Sequence, residues 1–454
     1  MILPKAFIDS LDGCVGFNEA SFVQAHELSP AISIRKNPFK VVDNTVLFKE
    51  FNAGNVPWCL HGQYLKERPR FTLDPLLHAG AYYVQEASSM FLYHVVENIL
   101  AEQKNLKVLD LCASPGGKST LLASMKQFDL VLSNEIISTR LPALNENIVK
   151  WGSSKSLISN NDPKDFQALG EIFDAVLVDA PCSGSGLFRK DPNALGEWSA
   201  NHVDFCAVRQ QRILHDAMAV LKPGGHLIYS TCSYSREENE GNVDFLLDSG
   251  MLTSVKVDIP AEWGIVQTAS DRKGGIGYRF YPDQLQGEGF FCSIFQKTSS
   301  SDVHFRNPSN HIMHQYKNTG ELQDWVDTNQ LHVFEEDGIL LGLNESIAES
   351  RSFFRQHLRL RKSGVKLGAS MKKGFVPDHE LALSDLVSSD QRRMDLSKKE
   401  ALQFLRKEEV EIGEMSDGIC LVTYQNLPIG WSKIIRNRLK NNYPVSWRIL
   451  LQGD

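Results

Sequence analysis

Between residues 104 and 298 short apolar runs alternate with helical stretches, and that alternation limits the fold more than any other feature of the chain. LKVLDLCAS (106–114) runs up to Gly116 and Gly117, and the helical KSTLLASMKQF follows. LVLSNE (130–135) and FDAVLVDAP (173–181) read as further strands. The latter is almost wholly apolar, as a strand covered on both faces must be. An amphipathic helix over about 203–221 is broken by Pro223-Gly224-Gly225, and HLIYSTCS (226–233) reads as the next strand. FFCSIFQ (290–296) is a late strand, expected to run antiparallel at one side. Strands separated by helices imply right-handed crossovers and a mostly parallel α/β sheet.

At 454 residues the chain exceeds one ordinary core. Residues 1–103 form a mixed N-terminal extension, and the polar stretch 299–311 reads as a linker. An intermediate basic region over 312–375 and a separate region over 376–454 follow it, with apolar segments such as GILLGL (338–343) and GICLVTYQ (418–425). No apolar run is long enough to span a bilayer, and the N-terminus lacks the pattern of a secretion signal. A cytoplasmic monomer without a membrane partner is therefore expected. The eight cysteines never form C-x-x-C and are expected as free thiols, with no metal site. His311 and His314 have no cysteine nearby and read as a surface feature. A net charge of −7 argues mildly against a nucleic-acid binder, although a local basic patch can hide within the sum.

The turn Ala113-Ser114-Pro115-Gly116-Gly117-Lys118 lies between the first strand and a helix. Ligands of open α/β sheets sit beyond the carboxyl ends of the strands, where glycines allow close backbone approach and a helix N-terminus favours an anion such as a carboxylate. GKST (117–120) is not a triphosphate loop, because Cys112 stands where that motif requires glycine. Glu135, ending the next strand, is placed to bind ribose hydroxyls. A solvated loop carboxylate is the plainer account of Glu135 alone, and the glycine turn before it favours the ligand. Asp162 lies in a loop that reaches an adenine edge, or is simply a turn residue.

DAPCSGSG (179–186) and YSTCS (229–233) each place a cysteine just past a buried strand. One such cysteine is most simply structural. Two at equivalent strand ends, with Asp179 beside one, point to covalent chemistry. Carbon 5 of cytosine is a poor nucleophile. A thiolate adding to carbon 6 makes carbon 5 an enamine carbon able to attack a sulfonium methyl group. A second group then helps to release the product, and Asp179 can stabilise the charged base. Lys190 could meet the base or a phosphate, and is equally well read as a solvated lysine. Nothing in the spacing orders Cys182 and Cys232 as attacker and helper.

LDLCASPGGKST, SNEI, FDAVLVDAPCSGSGLFRKDP, RQQRILHDAMAVLKPGGHLIYSTCSYSREENEGNV and GEGFFCSIFQK together resemble the Nop/Sun family of RNA cytosine-C5 methyltransferases over about residues 75–298. SIRKNP (33–38), VPWC (56–59), YYVQEASSM (82–90) and the tail LVTYQNLPIGWSKIIRNRLKNNYP (421–444) are similar to the bacterial RsmF-type members, which act on 16S ribosomal RNA. The resemblance implies a Rossmann-like S-adenosylmethionine-dependent domain over 104–298. It also implies RNA-binding regions at 1–103 and, with PUA-like fold, at 376–454. Cys112, Ala113, Ser114, Pro115, Gly116, Gly117 and Lys118 would line the S-adenosylmethionine site, Glu135 would bind its ribose, Asp162 would lie by the adenine and Asp179 by the methionine end. Cys232 would be the nucleophile and Cys182 would assist release. The loop departs from the commoner APGGK form at Ser114, and Asp283 replaces a frequent histidine and is given no role.

Residues 351–373 are strongly basic, with Phe353 and Phe354 interleaved, and Arg355, Arg359, Arg361 and Lys362 could track a phosphate backbone. Lys433, Arg436, Arg438 and Lys440 form a second cluster. The expected partner is small-subunit ribosomal RNA. The alternatives are the same reaction on transfer RNA and a non-catalytic RNA-binding assembly factor, against which the intact cysteine pair argues.

Overall fold

In the computed structural model, residues 2–40, 42, 50–299, 316, 319–326, 331–372 and 374–453 are described. Most of the expected linker, with His311, and His314 beyond it, fall outside them. The central unit is one mixed sheet. Numbered from its first strand, it contains β1 (Leu106–Asp110), β2 (Phe128–Asn134), β3 (Ser156–Ser159), β4 (Phe173–Asp179), β5 (Leu221–Thr231), β6 (Leu252–Ser254), β7 (Val266–Ala269), β8 (Ile276–Phe280), β9 (Phe290–Lys297) and β10 (Leu360–Ser363). Its helices include α1 (Gly117–Ser124), α2 (Leu141–Trp151), α3 (Ala200–Val220) and α4 (Glu240–Asp248).

The strand order is β7-β8-β9-β5-β4-β1-β2-β3-β10, with β6 paired to β9. Strands β1 to β5 run parallel. The chain moves outward from β1 to β3, then returns to place β4 on the other side of β1. A crevice opens at this reversal, beyond the carboxyl ends of β1 and β4. Val108, Leu109, Val176, Leu177, Val178, Leu227, Ile228 and Tyr229 are all at most 1% exposed, so the middle strands are covered on both faces.

Several boundaries differ from the sequence reading. Strand β1 stops at Asp110 and β4 at Asp179, leaving Leu111–Gly116 and Ala180–Gly184 as loops. Pro223-Gly224-Gly225 lies within β5, which begins as soon as α3 ends; Gly224 takes a φ of 78° there. Strand β9 is antiparallel to β5 as expected, but β8 and β7 extend the sheet beyond it. On the opposite edge β10, from the stretch read as an intermediate basic region, pairs antiparallel with β3.

The N-terminal stretch forms a four-stranded antiparallel sheet in the order Asn52–Asn55, Gly62–Leu65, Ile32–Lys36, Tyr82–Val84. The C-terminal sheet comprises Arg393–Asp395, Gly418–Tyr424, Leu427–Ile435 and Arg438–Asn441, with helix Lys398–Arg406 against it. Ile34, Leu65, Leu76 and Tyr82 share one apolar cluster with Phe404, Val422, Ile429 and Ile449, so the two ends of the chain have a common core. No helix among the described residues is long and apolar enough to cross a membrane.

Candidate active site

The loop after β1 is tied down from several sides. The Ala113 amide donates to the Asn134 carbonyl at 2.8 Å, and Asn134 Nδ2 donates to the Leu111 and Asn161 carbonyls. Arg140 donates to the Ser114 carbonyl at 2.7 Å, and Asn147 to that of Pro115 at 2.9 Å. The Ser114–Pro115 peptide is cis. Gly116 caps α1 with a φ of 110°, a conformation that disfavours side chains, and a Cβ there would sit 3.2 Å from Leu144.

Two adjoining cavities open at this loop. The first, of 240 Å³, is lined by Cys112, Ser114, Glu135, Arg140, Asp179 and Cys182, among others. The second, of 390 Å³, is lined by Ala113, Pro115, Gly117, Lys118, Glu288 and Phe290, with Tyr83, Gln85 and Glu86 from the N-terminal module. Cys112, Ser114, Asp179 and Cys232 face both. Gly116 shapes the turn without lining either. Asp162 sits at the rim, 3.6 Å from Arg212, whose side chain lines the first cavity, and caps the following turn by accepting from the Lys164 amide.

The two sulfurs meet at this junction. Cys182 Sγ and Cys232 Sγ are 3.1 Å apart, each in the loop just beyond its strand, β4 and β5. The neighbouring Cys232 sulfur, together with burial, pushes the Cys182 thiol well above its ordinary value. Burial likewise raises the Cys112 thiol, which therefore stays protonated as part of the wall. Asp179 accepts from Ser230 Oγ at 2.8 Å and pairs with Lys118 Nζ at 2.7 Å. Burial works to lower the Lys118 ammonium, but the charge and hydrogen bond of Asp179 outweigh it and the net shift is upward. Lys118 is thus a fixed cation beside the sulfurs.

The comparisons with known proteins decide the family. Residues 97–296 match 16S rRNA methyltransferase RsmB/F, residues 3–87 the N-terminal domain of RsmF, and residues 391–449 the RsmF PUA domain. Ribosomal RNA small subunit methyltransferase F of Shewanella loihica is 30% identical over 92% of this chain and 89% of its own. That of Cronobacter sakazakii is 30% identical over 97% and 95%. The chain belongs to the RsmF family of 16S rRNA methyltransferases. Among solved structures, a methyltransferase homologue from Pyrococcus horikoshii is 28% identical, with a TM-score of 0.54 over 65% of this chain and 95% of that one. NSun6 from the same organism, at 19% identity and a TM-score of 0.55 over 66% and 99%, shares the fold.

The cofactor of this RsmF-family chain is S-adenosylmethionine, and the two adjoining cavities together offer donor and acceptor groups that could hold it. Glu135, 3% exposed at the end of β2, is held by the Ile137 amide at 2.7 Å and by Arg140 at 3.4 Å, so its carboxylate is fixed at the wall of the first cavity. The first turn of α1, at Gly117 and Lys118 on the second cavity, would offer backbone N–H groups to an anionic end of the cofactor.

The basic run after the catalytic unit is rearranged by folding. Lys362 does not face a phosphate: its ammonium is buried, bonded to the Gly364 carbonyl and to Glu380, and burial pulls it down to about 7. Arg355 pairs with Glu336 at 2.5 Å, and Phe354 lies in the core. Arg359 and Arg361 remain exposed, and backbone and side-chain bonds to Asn160 and Asn161 hold them at the carboxyl end of β3, on the cofactor side. Lys433, Arg436, Arg438 and Lys440 are exposed on the C-terminal hairpin. Lys190 is exposed, and Asp283 accepts from Ser21 Oγ at 2.6 Å.

Two buried side chains that contact the site's loops escaped the sequence reading. Arg35, 1% exposed, reaches from the N-terminal sheet to the Gly117 carbonyl at 3.1 Å and Thr120 Oγ1 at 2.6 Å, gripping the start of α1. Glu238, 0% exposed, binds both cysteine loops. In the sequence Arg35 is one basic residue of ISIRK and Glu238 one acid of the polar run SREENE, and neither pattern names its partner.

Proposed function

We propose that this protein methylates carbon 5 of a cytosine in 16S ribosomal RNA through a covalent adduct with Cys232. The observation that carries the reading is the pair of sulfurs 3.1 Å apart at the junction of the two cavities. S-adenosylmethionine supplies the methyl group as a sulfonium electrophile. It would lie across the junction of the two cavities against the loop 112–118, with Glu135 in the first cavity at the ribose and Asp162 near the adenine. The target base, turned out of its stack, enters the second cavity between Lys118, Phe290 and Cys232.

The two sulfurs share a hydrogen bond, and Cys182, whose thiol is held protonated by its neighbour and by burial, leaves Cys232 as the attacking sulfur. As a thiolate, Cys232 adds to carbon 6, and carbon 5 becomes the nucleophile that takes the methyl group. The carbon 5 proton then passes to solvent water, the C–H electron pair restores the ring double bond, and the Cys232 sulfur departs as a thiolate. Cys182 assists this release. Asp179, oriented by Ser230 and Lys118, holds the protonated edge of the base. Residues 104–298 form the catalytic unit in this scheme, the N-terminal and 376–454 regions bind RNA, and the chain works as a cytoplasmic monomer.

Bisulfite sequencing of ribosomal and transfer RNA from a deletion strain tests the substrate: one 16S cytosine loses its mark. Cys182→Ala should accumulate a covalent RNA–protein adduct and Cys232→Ala should form none. The reverse pattern would exchange the two roles. A modified transfer RNA in place of 16S RNA would reassign the substrate.

A further inference from the structure

The segment Glu237–Asn242 lies just before and within the start of α4, outside both cavities, yet its side chains turn back to the two cysteine loops. Glu238 Oε1 accepts from the Ser183 amide at 2.8 Å and from Gln210 Nε2 at 3.0 Å. Its Oε2 accepts from Ser183 Oγ and from Ser233 Oγ, both at 2.5 Å. Ser183 follows Cys182 and Ser233 follows Cys232, so one carboxylate holds the residue after each sulfur. Gln210 extends the clamp by donating to the Pro181 carbonyl, just before Cys182, at 3.0 Å. Asn239 completes it on the other loop, accepting from Thr231 Oγ1 at 2.6 Å and donating to the Ser233 carbonyl at 2.8 Å.

Glu238 is 0% exposed, and no lysine, arginine or histidine among the described residues pairs with it. A buried carboxylate without a cation is costly unless hydrogen bonds meet it. Here four donors do so, and three of them belong to the cysteine loops themselves. A purely structural contact between two loops would be met as well by a neutral or apolar pair at lower cost. The carboxylate also faces Cys182, whose thiol it helps to keep protonated behind the larger effects of Cys232 and burial.

We infer that Glu238 is a positioning residue for the reaction, the clamp that sets the spacing of Cys182 and Cys232. The inference rests on the proposed covalent mechanism for its effect on turnover, while the spacing itself is measurable without RNA. Glu238→Ala removes all four acceptor contacts. Its kcat should fall on the order of a hundredfold, with the KM for a 16S RNA fragment and the affinity for S-adenosylmethionine within about threefold of wild type. Glu238→Gln keeps an oxygen for the Ser183 amide and Gln210, and its amide can donate to the two rotatable hydroxyls. It should recover kcat to within about tenfold of wild type.

The second readout is the affinity of phenylarsine oxide, which joins two neighbouring thiols to arsenic with loss of water. Wild type should bind it through Cys182 and Cys232, Cys182→Ala should lose that binding, and Glu238→Ala should weaken it about tenfold or more. If Glu238→Ala does not fold, Glu238→Gln carries the test, with reduced kcat at unchanged KM and nearly wild-type arsenical affinity. Wild-type turnover and arsenical affinity in a folded Glu238→Ala protein would overturn the inference, and so would an equal loss of cofactor binding. A wild-type protein that modified no cytosine would sink the proposed reaction instead, and the arsenical comparison would still judge the clamp.

Discussion

Arg35→Met probes how the N-terminal module supports the cofactor loop. The Arg35 guanidinium is buried, and burial pulls it from 12.5 down to about 10. That displacement corresponds to a burial cost of roughly 3 kcal/mol for the charged form. Against it stand three hydrogen bonds, to Gln85 Oε1, the Gly117 carbonyl and Thr120 Oγ1, worth about 1.5–3 kcal/mol each from a charged donor. A cation–π contact 4.2 Å over Trp151 adds about 1–2 kcal/mol. Methionine keeps most of the apolar volume but none of these bonds, and leaves the Gln85 oxygen without its donor. At the low end of these ranges the variant should lose about 2.5 kcal/mol, a fall of about 0.8 M in the urea midpoint for a slope near 3 kcal/mol per molar. Because two of the bonds end on the first turn of α1, S-adenosylmethionine should also bind about tenfold more weakly by titration calorimetry. A midpoint and an affinity both unchanged would refute the reasoning, by showing that an apolar side chain serves equally well there.

Asp110, fully buried at the end of β1, is raised by burial to about 7, with a Ser119 hydrogen bond acting against the rise. Its folded value lies above the unfolded one of 3.8, so its contribution to stability is fully present below about pH 4 and is lost as pH rises through 7. Asp110→Asn should therefore be more stable than wild type at pH 8, by up to roughly 4 kcal/mol, with the gap closing as pH is lowered to 5. A gap in urea midpoint that ignores pH would contradict this. Lys433 and Lys440 are direct cross-strand partners on the C-terminal hairpin, an arrangement of like charges that an RNA phosphate would relieve. Replacing both by alanine should weaken binding of a 16S RNA fragment, reduce the salt dependence of that binding by about two charges, and leave cofactor affinity alone. An unchanged salt slope would remove this hairpin from the RNA-binding surface.

Much of the catalytic unit was readable from residue order, because strands buried on both faces must be continuously apolar and FDAVLVDA has no other stable use. The glycine turn before Lys118, and the placing of Cys182 and Cys232 just past two strands, followed from the same local rule, since side chains at strand ends are set by a few neighbouring residues. The direction of β9 could be expected, but β7 and β8 beyond it could not, because short strands in a Gly-rich stretch carry little periodicity.

Long-range partners were decided only by the folded chain. Nothing in RSFFRQHLRLRKSG says that Lys362 will meet Glu380 in the core or that Leu360–Ser363 will extend the sheet beside β3, since edge pairing and burial depend on which surfaces meet. The 3.1 Å separation of the sulfurs needed β4 and β5 to lie side by side. Arg35 at the cofactor helix and Glu238 between the cysteine loops joined groups 82 and 55 residues apart in the chain. Local sequence determines what a segment can form and which groups it carries to its ends. The distance between two such groups is a property of the packing, and here the packing decides the chemistry.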